Sequence, residues 1–160
     1  MMNFVNACKY GELDRVVELV NKGENIRVKN KHGFRWACIN GHTSVVQYLM
    51  LLNDKPDIHA DKEFGFRSAC RAGHLEIVKH LMSLENKPDV HVMNEDGFRF
   101  ACWKGSLPIV QFLMSLDDKP NIHAGDEYGF RWACEKGHLP VVQFLMSLDD
   151  KPDIHVKNEQ

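Results

Sequence analysis

Cysteine and histidine recur four residues apart in this sequence, a spacing that puts both side chains on one face of a helix. The pairs are Cys38/His42, Cys70/His74 and Cys134/His138. Such a pair could bind zinc, or the histidine could act as a base for a cysteine nucleophile. Either role needs a third ligand or an orienting group, and none recurs nearby. The pair is also broken twice, as Cys8/Glu12 and Cys102/Ser106, so we expect structural histidines here.

A second histidine series recurs every 32 residues, at His59, His91, His123 and His155. Zinc–nitrogen bonds are about 2 Å long, so histidines one repeat apart cannot share an ion. Each of them follows an Asp or Asn by two residues. We expect these histidines to close loops.

An arginine series has the same period, at Arg35, Arg67, Arg99 and Arg131. One interpretation is a stripe on the concave side that binds an anionic partner. The other, which we favour, is that each guanidinium pairs with a loop carbonyl or a carboxylate of its own or the next repeat, such as Asp57, Asp89 or Asp153.

Motifs of catalysis are absent from the sequence. It contains no Gly-x-x-x-x-Gly-Lys phosphate loop, no Gly-x-Ser-x-Gly nucleophile elbow and no Cys-x-x-Cys pair. We therefore predict a protein that is not an enzyme and that needs neither a metal nor a cofactor.

Composition narrows the classes of partner. The chain has 160 residues, 44% of them apolar, and a formal net charge of -2. This balance disfavours nucleic-acid binding and attachment to an anionic membrane surface, which both need excess Lys and Arg. No apolar run approaches the roughly 20 residues of a membrane span, and we expect no signal peptide. With five cysteines that do not resemble a disulfide framework, an intracellular, cytoplasmic protein is predicted.

A fixed period organises the whole chain. Gly-Phe-Arg recurs at residues 33–35, 65–67, 97–99 and 129–131, and Ala-Cys follows each copy by one residue. An earlier Ala7-Cys8 makes five repeats, and such periodicity indicates a stacked array. We predict one domain over residues 1–160, with repeats at approximately 1–30, 31–62, 63–94, 95–126 and 127–160.

Each repeat is predicted to form two short helices. The first runs from the Phe of Gly-Phe-Arg to the residue before the next glycine, as in residues 34–40, and the glycine ends it. The second presents one apolar face with the helical period: Val45, Val46, Leu49, Met50 and Leu52. A turn and a short extended piece, such as residues 58–59, then lead to the next repeat.

The stretch from Ala133 to Met146 reads Ala-Cys-x-x-Gly-His-Leu-x-Val-Val-x-x-Leu-Met, which resembles the ankyrin repeat. Gly-Phe-Arg stands where that family usually has Thr-Pro-Leu-His. The resemblance implies an all-α, ankyrin-type solenoid of five stacked helix-turn-helix repeats with short hairpin-like loops. It also implies that the Gly-His histidine holds the turn between helices, and that the protein binds a protein partner.

Aromatic and cysteine side chains are expected to fill the core of this array. Phe34, Phe66, Phe98 and Phe130 should take the leucine position of the family, and we place Trp36, Phe100 and Trp132 in the core as well. The five cysteines should be small buried residues. Equivalent cysteines lie on helices packed about 8–10 Å apart, too far for the roughly 7 Å Cα separation of a disulfide.

The resemblance places partner binding on the concave face, at the loop tips and the two residues after Ala-Cys, where the repeats differ from one another. The candidates are Tyr10, Ile39, Asn40, Arg71, Trp103, Lys104, Glu135 and Lys136, with Phe64 and Tyr128 just before their glycines. The tips also differ in charge. The first is basic at Lys29 and Lys31, and later tips carry the acidic residues Glu95, Asp96, Asp126 and Glu127.

The last repeat suggests a second surface. Its second helix, residues 141–148, differs from residues 109–116 only by Val141 in place of Ile109, so it lacks the polar outer side that end repeats usually carry. We predict an apolar C-terminal face that could meet more repeats, a second copy or a partner. The alternative function is accordingly a scaffold or spacer, or a segment that self-associates.

Overall fold

The computed structural model describes residues 3–23 and 29–154. Over these residues the chain forms ten helices and no strand, which confirms the all-α class. The helices are α1 Phe4–Tyr10, α2 Leu13–Asn21, α3 Asn30–Asn40, α4 Thr43–Leu51, α5 Ala60–Ala72, α6 Leu75–Met82, α7 Val92–Lys104, α8 Leu107–Met114, α9 Ala124–Glu135 and α10 Leu139–Met146.

The helices are grouped in two compact bodies, which divide between Pro88 and Asp89. In the N-terminal body α1 packs on α3 and α3 on α5, while α2 packs on α4 and α4 on α6. In the C-terminal body α7 packs on α9 and α8 on α10. First helices therefore stack on first helices, and second helices on second helices, as a helical repeat requires.

Glycine separates the two helices of each repeat, as predicted. Gly41 and Gly105, for example, follow α3 and α7 with φ values of 79° and 75°, in the left-handed region that glycine adopts without a Cβ penalty. The second helices then bury the predicted apolar face, with Val45, Val46 and Leu49 at most 1% exposed.

The phenylalanines of Gly-Phe-Arg lie in the core, as predicted, and are at most 9% exposed. The placement of Trp36 in the core was wrong, because its side chain is 37% exposed, and Phe100 and Trp132 are only half-buried. The reason is helical geometry: each of these residues follows its phenylalanine by two positions, and side chains two apart do not share a helix face.

Four cysteines are buried, but Cys134 is exposed, so the expectation of five buried cysteines was wrong for the last one. For Cys8, Cys38 and Cys102 the glycine of the following Gly-Phe-Arg lies on the sulfur: a Cβ at Gly33, for example, would lie 2.8 Å from Cys8 Sγ. The described part of the chain has no such glycine after Cys134.

The connections between repeats differ from the predicted extended pieces. His59, His91 and His123 have right-handed helical backbones, and residues 58–59 lie in a turn. Three consecutive residues then adopt left-handed conformations in each connection: 61–63, 93–95 and 125–127. We call each of these three-residue segments a left-handed turn.

Candidate functional site

Three arginines of the Gly-Phe-Arg series donate hydrogen bonds to backbone carbonyls of the left-handed turns. Arg99 Nη1 donates to the carbonyl of Asn94 over 3.1 Å, and Arg67 Nε donates to the carbonyl of Lys62 over 2.6 Å. Arg131 does the same to Asp126. Because successive left-handed residues expose their carbonyls, the guanidinium supplies the donors that the helix ladder does not. The favoured pairing of these arginines with loop carbonyls is therefore confirmed for these three residues.

Arg35 follows a different pattern. Its guanidinium pairs with the carboxylate of Asp61, in the left-handed turn that leads to the next repeat, and lies 4.6 Å from the centre of the Phe64 ring. The carboxylate is thus Asp61 rather than one of the aspartates that the sequence suggested.

The second histidine series closes the same turns. Asp57 Oδ1 accepts from the backbone N–H of His59. The ring nitrogen Nδ1 of His59, His91 and His123 then bonds Glu63, Glu95 and Glu127 respectively, at 2.8, 2.8 and 2.5 Å. The predicted loop-closing role is confirmed for these three histidines. His155 lies outside the described residues.

Two of these histidines are held as cations. His91 bonds Asp118 through Nε2 at 2.9 Å and Glu95 through Nδ1, and His123 bonds Asp150 and Glu127 in the same way. Carboxylates on both sides require a proton on both nitrogens. Asp118 and Glu95 accordingly raise the pKa of His91 to about 9.

The histidines of the Cys/His pairs bond backbone carbonyls of the preceding repeat. His42 Nε2 donates to the carbonyl of Lys9 over 2.8 Å, and His74 and His138 donate likewise to Ile39 and Trp103. Each Nε2 therefore carries the proton of its ring, and the bond fixes the position of the imidazole against the preceding repeat. Burial raises the pKa of the Cys38 thiol far above its usual range, so its thiolate is not available.

These histidines have the structural role that the resemblance implied, and each of their rings lies over a glycine of the preceding repeat. The ring of His138 covers Gly105, where any Cβ would overlap the imidazole. His42 and His74 cover Gly11 and Gly41 in the same manner. Each ring thereby joins its own repeat to the turn of the preceding one.

In the N-terminal body the structure brings several candidate residues together. Tyr10 is 59% exposed, and the ammonium of Lys9 lies 5.5 Å from its ring and 4.6 Å from the ring of Trp36. Asn40 is exposed and donates to the carbonyl of Lys9. Ile39, next to it, is half-buried. These residues form one aromatic and polar patch at the ends of α1 and α3.

In the C-terminal body an aromatic cluster surrounds Tyr128. Its ring lies 4.6 Å from Trp132, edge to face, and the guanidinium of Arg99 lies 4.8 Å from it. Phe100 stacks on Trp132 at 6.1 Å. Tyr128 is 38% exposed, so its ring is partly buried against Trp132 and Arg99 and partly accessible to a partner.

The remaining candidates vary in exposure. Arg71, Lys104, Glu135 and Lys136 are exposed, while Trp103 and Phe64 are half-buried. The predicted acidic tips were mostly wrong, because Glu95, Asp96 and Glu127 are at most 8% exposed. Glu95 and Glu127 turn inward because the histidines four residues earlier neutralise their charge.

Sequence reasoning missed two groups of residues in these surfaces. Trp36, Phe100 and Trp132 were assigned to the core, although their position varies between repeats in the way surface positions do. The glutamates of the His–Glu pairs were not recognised either. Their signal was present, since His and Glu recur four residues apart with the period of the repeat.

The described residues contain neither a membrane-spanning helix nor a group of side chains suited to hold a metal ion. No helix of residues 3–23 and 29–154 is long and apolar enough to cross a membrane. In that same part of the chain, no three His, Cys, Asp or Glu side chains are grouped so that they could hold a metal ion.

Comparison with known proteins agrees with this architecture. A family model described as ankyrin repeats, in three copies, matches residues 34–126 and again residues 66–158. A search of curated proteins found no match. The matched residues span most of the chain and coincide with the stacked helix pairs and their glycine turns. The chain therefore belongs to the ankyrin repeat family.

Proposed function

We propose that this protein is a non-catalytic interaction module that binds a protein partner through the predicted concave face and loop tips, inside the cell and in the cytoplasm. Ankyrin repeats are in general protein–protein interaction modules. The finer proposal is that the binding residues are the two that follow Ala-Cys in each repeat, together with Phe64 and Tyr128.

One observation carries the proposal. The repeats are nearly uniform where they stack, but they differ at the exposed turn positions. Tyr10, Asn40, Arg71, Lys104 and Glu135 occupy these positions, and all five are exposed. Their side chains lie outside the buried core, so their diversity is presented at the surface. Aromatic and arginine side chains dominate binding hot spots, which favours Tyr10, Arg71 and Trp103 as anchors.

The chemistry of the described residues supports a binding role over a catalytic one. The first histidine series is bonded to backbone carbonyls and the second to carboxylates. Burial raises the pKa of the Cys8 thiol to about 12. Neither nucleic acid nor membrane is proposed as a partner, given the net charge of -2.

The test is affinity capture from cell lysate with the intact chain and with an Arg71→Glu/Trp103→Ala variant. A Lys79→Glu/Gln111→Ala variant, altered at exposed positions of second helices, is the matched control. Circular dichroism must show equal helicity for all three. We expect a partner that the intact chain and the control capture and the Arg71/Trp103 variant loses. Equal capture by all three would contradict the proposed surface.

A second candidate function is a scaffold or spacer whose C-terminal face matters more, including self-association through that face. The exposure of Leu139 and Ile154, at 60% and 63%, favours it. Sedimentation analysis over a wide range of concentrations tests the self-association. A protein that stays monomeric at every concentration would exclude it. A dimer that forms with rising concentration and that Leu139→Glu abolishes would support it.

A further inference from the structure

Charge is divided unevenly between the two bodies. Residues 1–88 contain 13 Lys and Arg against 10 Asp and Glu, whereas residues 89–160 contain 7 against 12. The formal net charge of -2 therefore combines +3 in the first body with -5 in the second. Protonation of His91 and His123 makes the second body less negative but does not reverse the contrast. The N-terminal body is thus basic, although the whole chain is not.

The excess of positive charge in the N-terminal body lies on its first helices. Helices α1, α3 and α5 carry two acidic residues and six basic ones: Lys9, Lys31, Arg35, Lys62, Arg67 and Arg71. The acidic Asp61 already pairs with Arg35 and Lys31. The other, Glu63, is 5% exposed and bonds His59. The second helices of this body carry three acidic and two basic residues, so they do not share the positive charge.

One of these cations lies between two aromatic rings at the ends of α1 and α3. Lys9 Nζ is 4.6 Å from the centre of the Trp36 ring and 5.5 Å from that of Tyr10, and the two side chains are 37% and 59% exposed. Among the described residues, no carboxylate pairs with Lys9. Attraction to a ring face uses the charge of the ammonium, so its N–H groups can still donate to an acceptor.

Asn40 places a polar group beside this cation. Its Nδ2 donates to the carbonyls of Trp36 over 3.0 Å and Lys9 over 3.2 Å. These two bonds engage the amide nitrogen, and Oδ1 of this exposed side chain remains as an acceptor. Ile39, next to it, is half-buried. We call Lys9, Tyr10, Trp36, Ile39 and Asn40 the Lys9 patch.

We propose that the Lys9 patch binds an acidic segment of the protein partner, in which an apolar side chain lies near the carboxylate. The carboxylate accepts from Lys9 Nζ, and the apolar side chain packs on Trp36 and Ile39. A backbone N–H of the segment donates to Asn40 Oδ1. The proposal rests on the proposed interaction function and names the chemistry of the partner at this part of the surface.

The donors at the patch favour a carboxylate over the phosphates of a nucleic acid. Phosphate is typically recognised by the planar fork of arginine, whereas lysine presents one compact charge. The guanidinium of Arg35 is paired with Asp61, and Arg67 Nε donates to the carbonyl of Lys62. The single ammonium of Lys9 therefore matches one carboxylate.

Arg71 sets the length of the segment. It is exposed, and it stands on α5 at the position that Lys9 occupies on α1, with Ile39 at the same position on the helix between them. Packed helices lie about 8–10 Å apart, so two steps separate the cations by roughly 16–20 Å. An extended chain advances about 3.3 Å per residue. The segment should therefore carry two acidic residues about five or six positions apart, with the apolar residue between them over Ile39.

Selection from a displayed peptide library tests the proposal with the full chain. Random peptides of about 12 residues, long enough to reach both cations, are selected on phage against the intact chain. The enriched peptides are then synthesised, and fluorescence anisotropy measures their Kd. We expect them to share two acidic residues at the stated spacing with an apolar residue between them.

Variants at one position then locate the binding. Lys9→Gln removes the charge and should weaken the enriched peptides about tenfold, through loss of a charge-assisted hydrogen bond. Lys9→Arg should keep most of the affinity. Lys79→Gln, which removes the same charge from an exposed position of α6, is the matched control and should bind as the intact chain does. Circular dichroism must show equal helicity for all four proteins.

Four results would overturn the proposal. The first is a selection that enriches no peptide, and the second is a set of enriched peptides without the acidic pair. The third is equal affinity of the peptides for the intact chain and for Lys9→Gln. The last is displacement of the peptides by an equal concentration of a single-stranded oligonucleotide of similar length, which would show that the patch binds polyanions in general.

Capture from cell lysate separates this proposal from the interaction function. A partner that the intact chain and Lys9→Gln capture equally, but that the Arg71→Glu/Trp103→Ala variant loses, would overturn the acidic segment at Lys9 and leave the interaction function standing. A partner that both variants lose would support both. Equal capture by the intact chain and the Arg71→Glu/Trp103→Ala variant would contradict the interaction surface itself, whichever peptides the library yields.

Discussion

The connecting turns hold buried glutamates beside histidines, and in His91 and His123 a second carboxylate bonds the other ring nitrogen and keeps the imidazole protonated. His91 is the best-defined case, since its two ring nitrogens bond Asp118 and Glu95, and Asp89 Oδ1 accepts from its backbone N–H. The hydrogen bonds of the imidazolium therefore hold the turn together, so the role of this histidine is structural.

Stability should fall at alkaline pH because of this residue. Its folded pKa of about 9 lies above the unfolded value of roughly 6.5. The contribution is thus fully present below pH 6.5 and is lost as pH rises through 9. The side chain is 40% exposed, so we expect solvent screening to limit the effect to about 1 kcal/mol.

Urea unfolding between about pH 6 and pH 10 measures this loss. The His91→Gln variant is the control, because it cannot carry the charge, and its stability should be lower at pH 6 but flatter across the range. Identical pH dependence of the two proteins would show that the ion pairs do not stabilise the turn.

Backbone strain at Met93 gives a second prediction at this scale. Its φ is 53°, in the left-handed region, and its side chain is 48% exposed. Gly125 occupies the equivalent position in the next connection with φ 63°. Met93→Gly should therefore stabilise the protein, by about 0.5 kcal/mol after the entropy cost of glycine is subtracted. Thermal unfolding measures it, and Met93→Ala, which keeps the strain, should not raise stability.

At the scale of elements, the contact between histidine and glycine joins one helix pair to the next. Gly105 and Gly137 are a matched pair for testing it, since both are left-handed but only Gly105 lies beneath a described histidine ring. Gly137→Ala should cost about 1 kcal/mol, from the backbone conformation alone. Gly105→Ala should cost at least about 2 kcal/mol, because the His138 ring must also move.

Chemical denaturation of the two variants measures the difference. His138→Ala supplies the check: in that background the cost of Gly105→Ala should fall to that of Gly137→Ala. Equal costs in the original background would contradict the joining role of the histidine.

The arginine of Gly-Phe-Arg belongs to the same scale, because it connects a helix to the turn before it. Arg99→Gln removes the donor to Asn94 and the contact with the Tyr128 ring, and we expect a loss of about 1–2 kcal/mol of unfolding free energy. Arg99→Lys keeps the charge but not the planar donor fork, so it should restore less than half. Full rescue by lysine would indicate that charge alone matters.

The helix pairs could be predicted from sequence because their signals are local: an apolar face with helical period, and glycine at each helix end. The left-handed turns could not. Residues such as Met93 and Lys62 disfavour positive φ, and an arginine donor and a buried His–Glu pair, which act across each turn, stabilise that conformation. Trp36 was misplaced although the signal was local: it follows Phe34 by two positions, and side chains two apart lie on different faces of a helix.

At the scale of the whole molecule, the chain is an array whose stacking surfaces are uniform and whose turn positions vary. The sequence predicted this division, because five copies in one chain can be compared with each other. It could not predict which candidate residues share a patch. Lys9, Tyr10 and Trp36 were found together only in the structure, where the Lys9 ammonium lies near both rings.

The central claim is that the varied turn positions contact the partner. Site-specific photocrosslinking tests it most directly, with a photoreactive residue placed singly at Tyr10, Lys104 or Lys136, and at the exposed second-helix positions Gln47 and Gln111 as controls. We expect the captured partner to crosslink from the turn positions and not from the controls. Crosslinks confined to Gln47 or Gln111 would contradict the account.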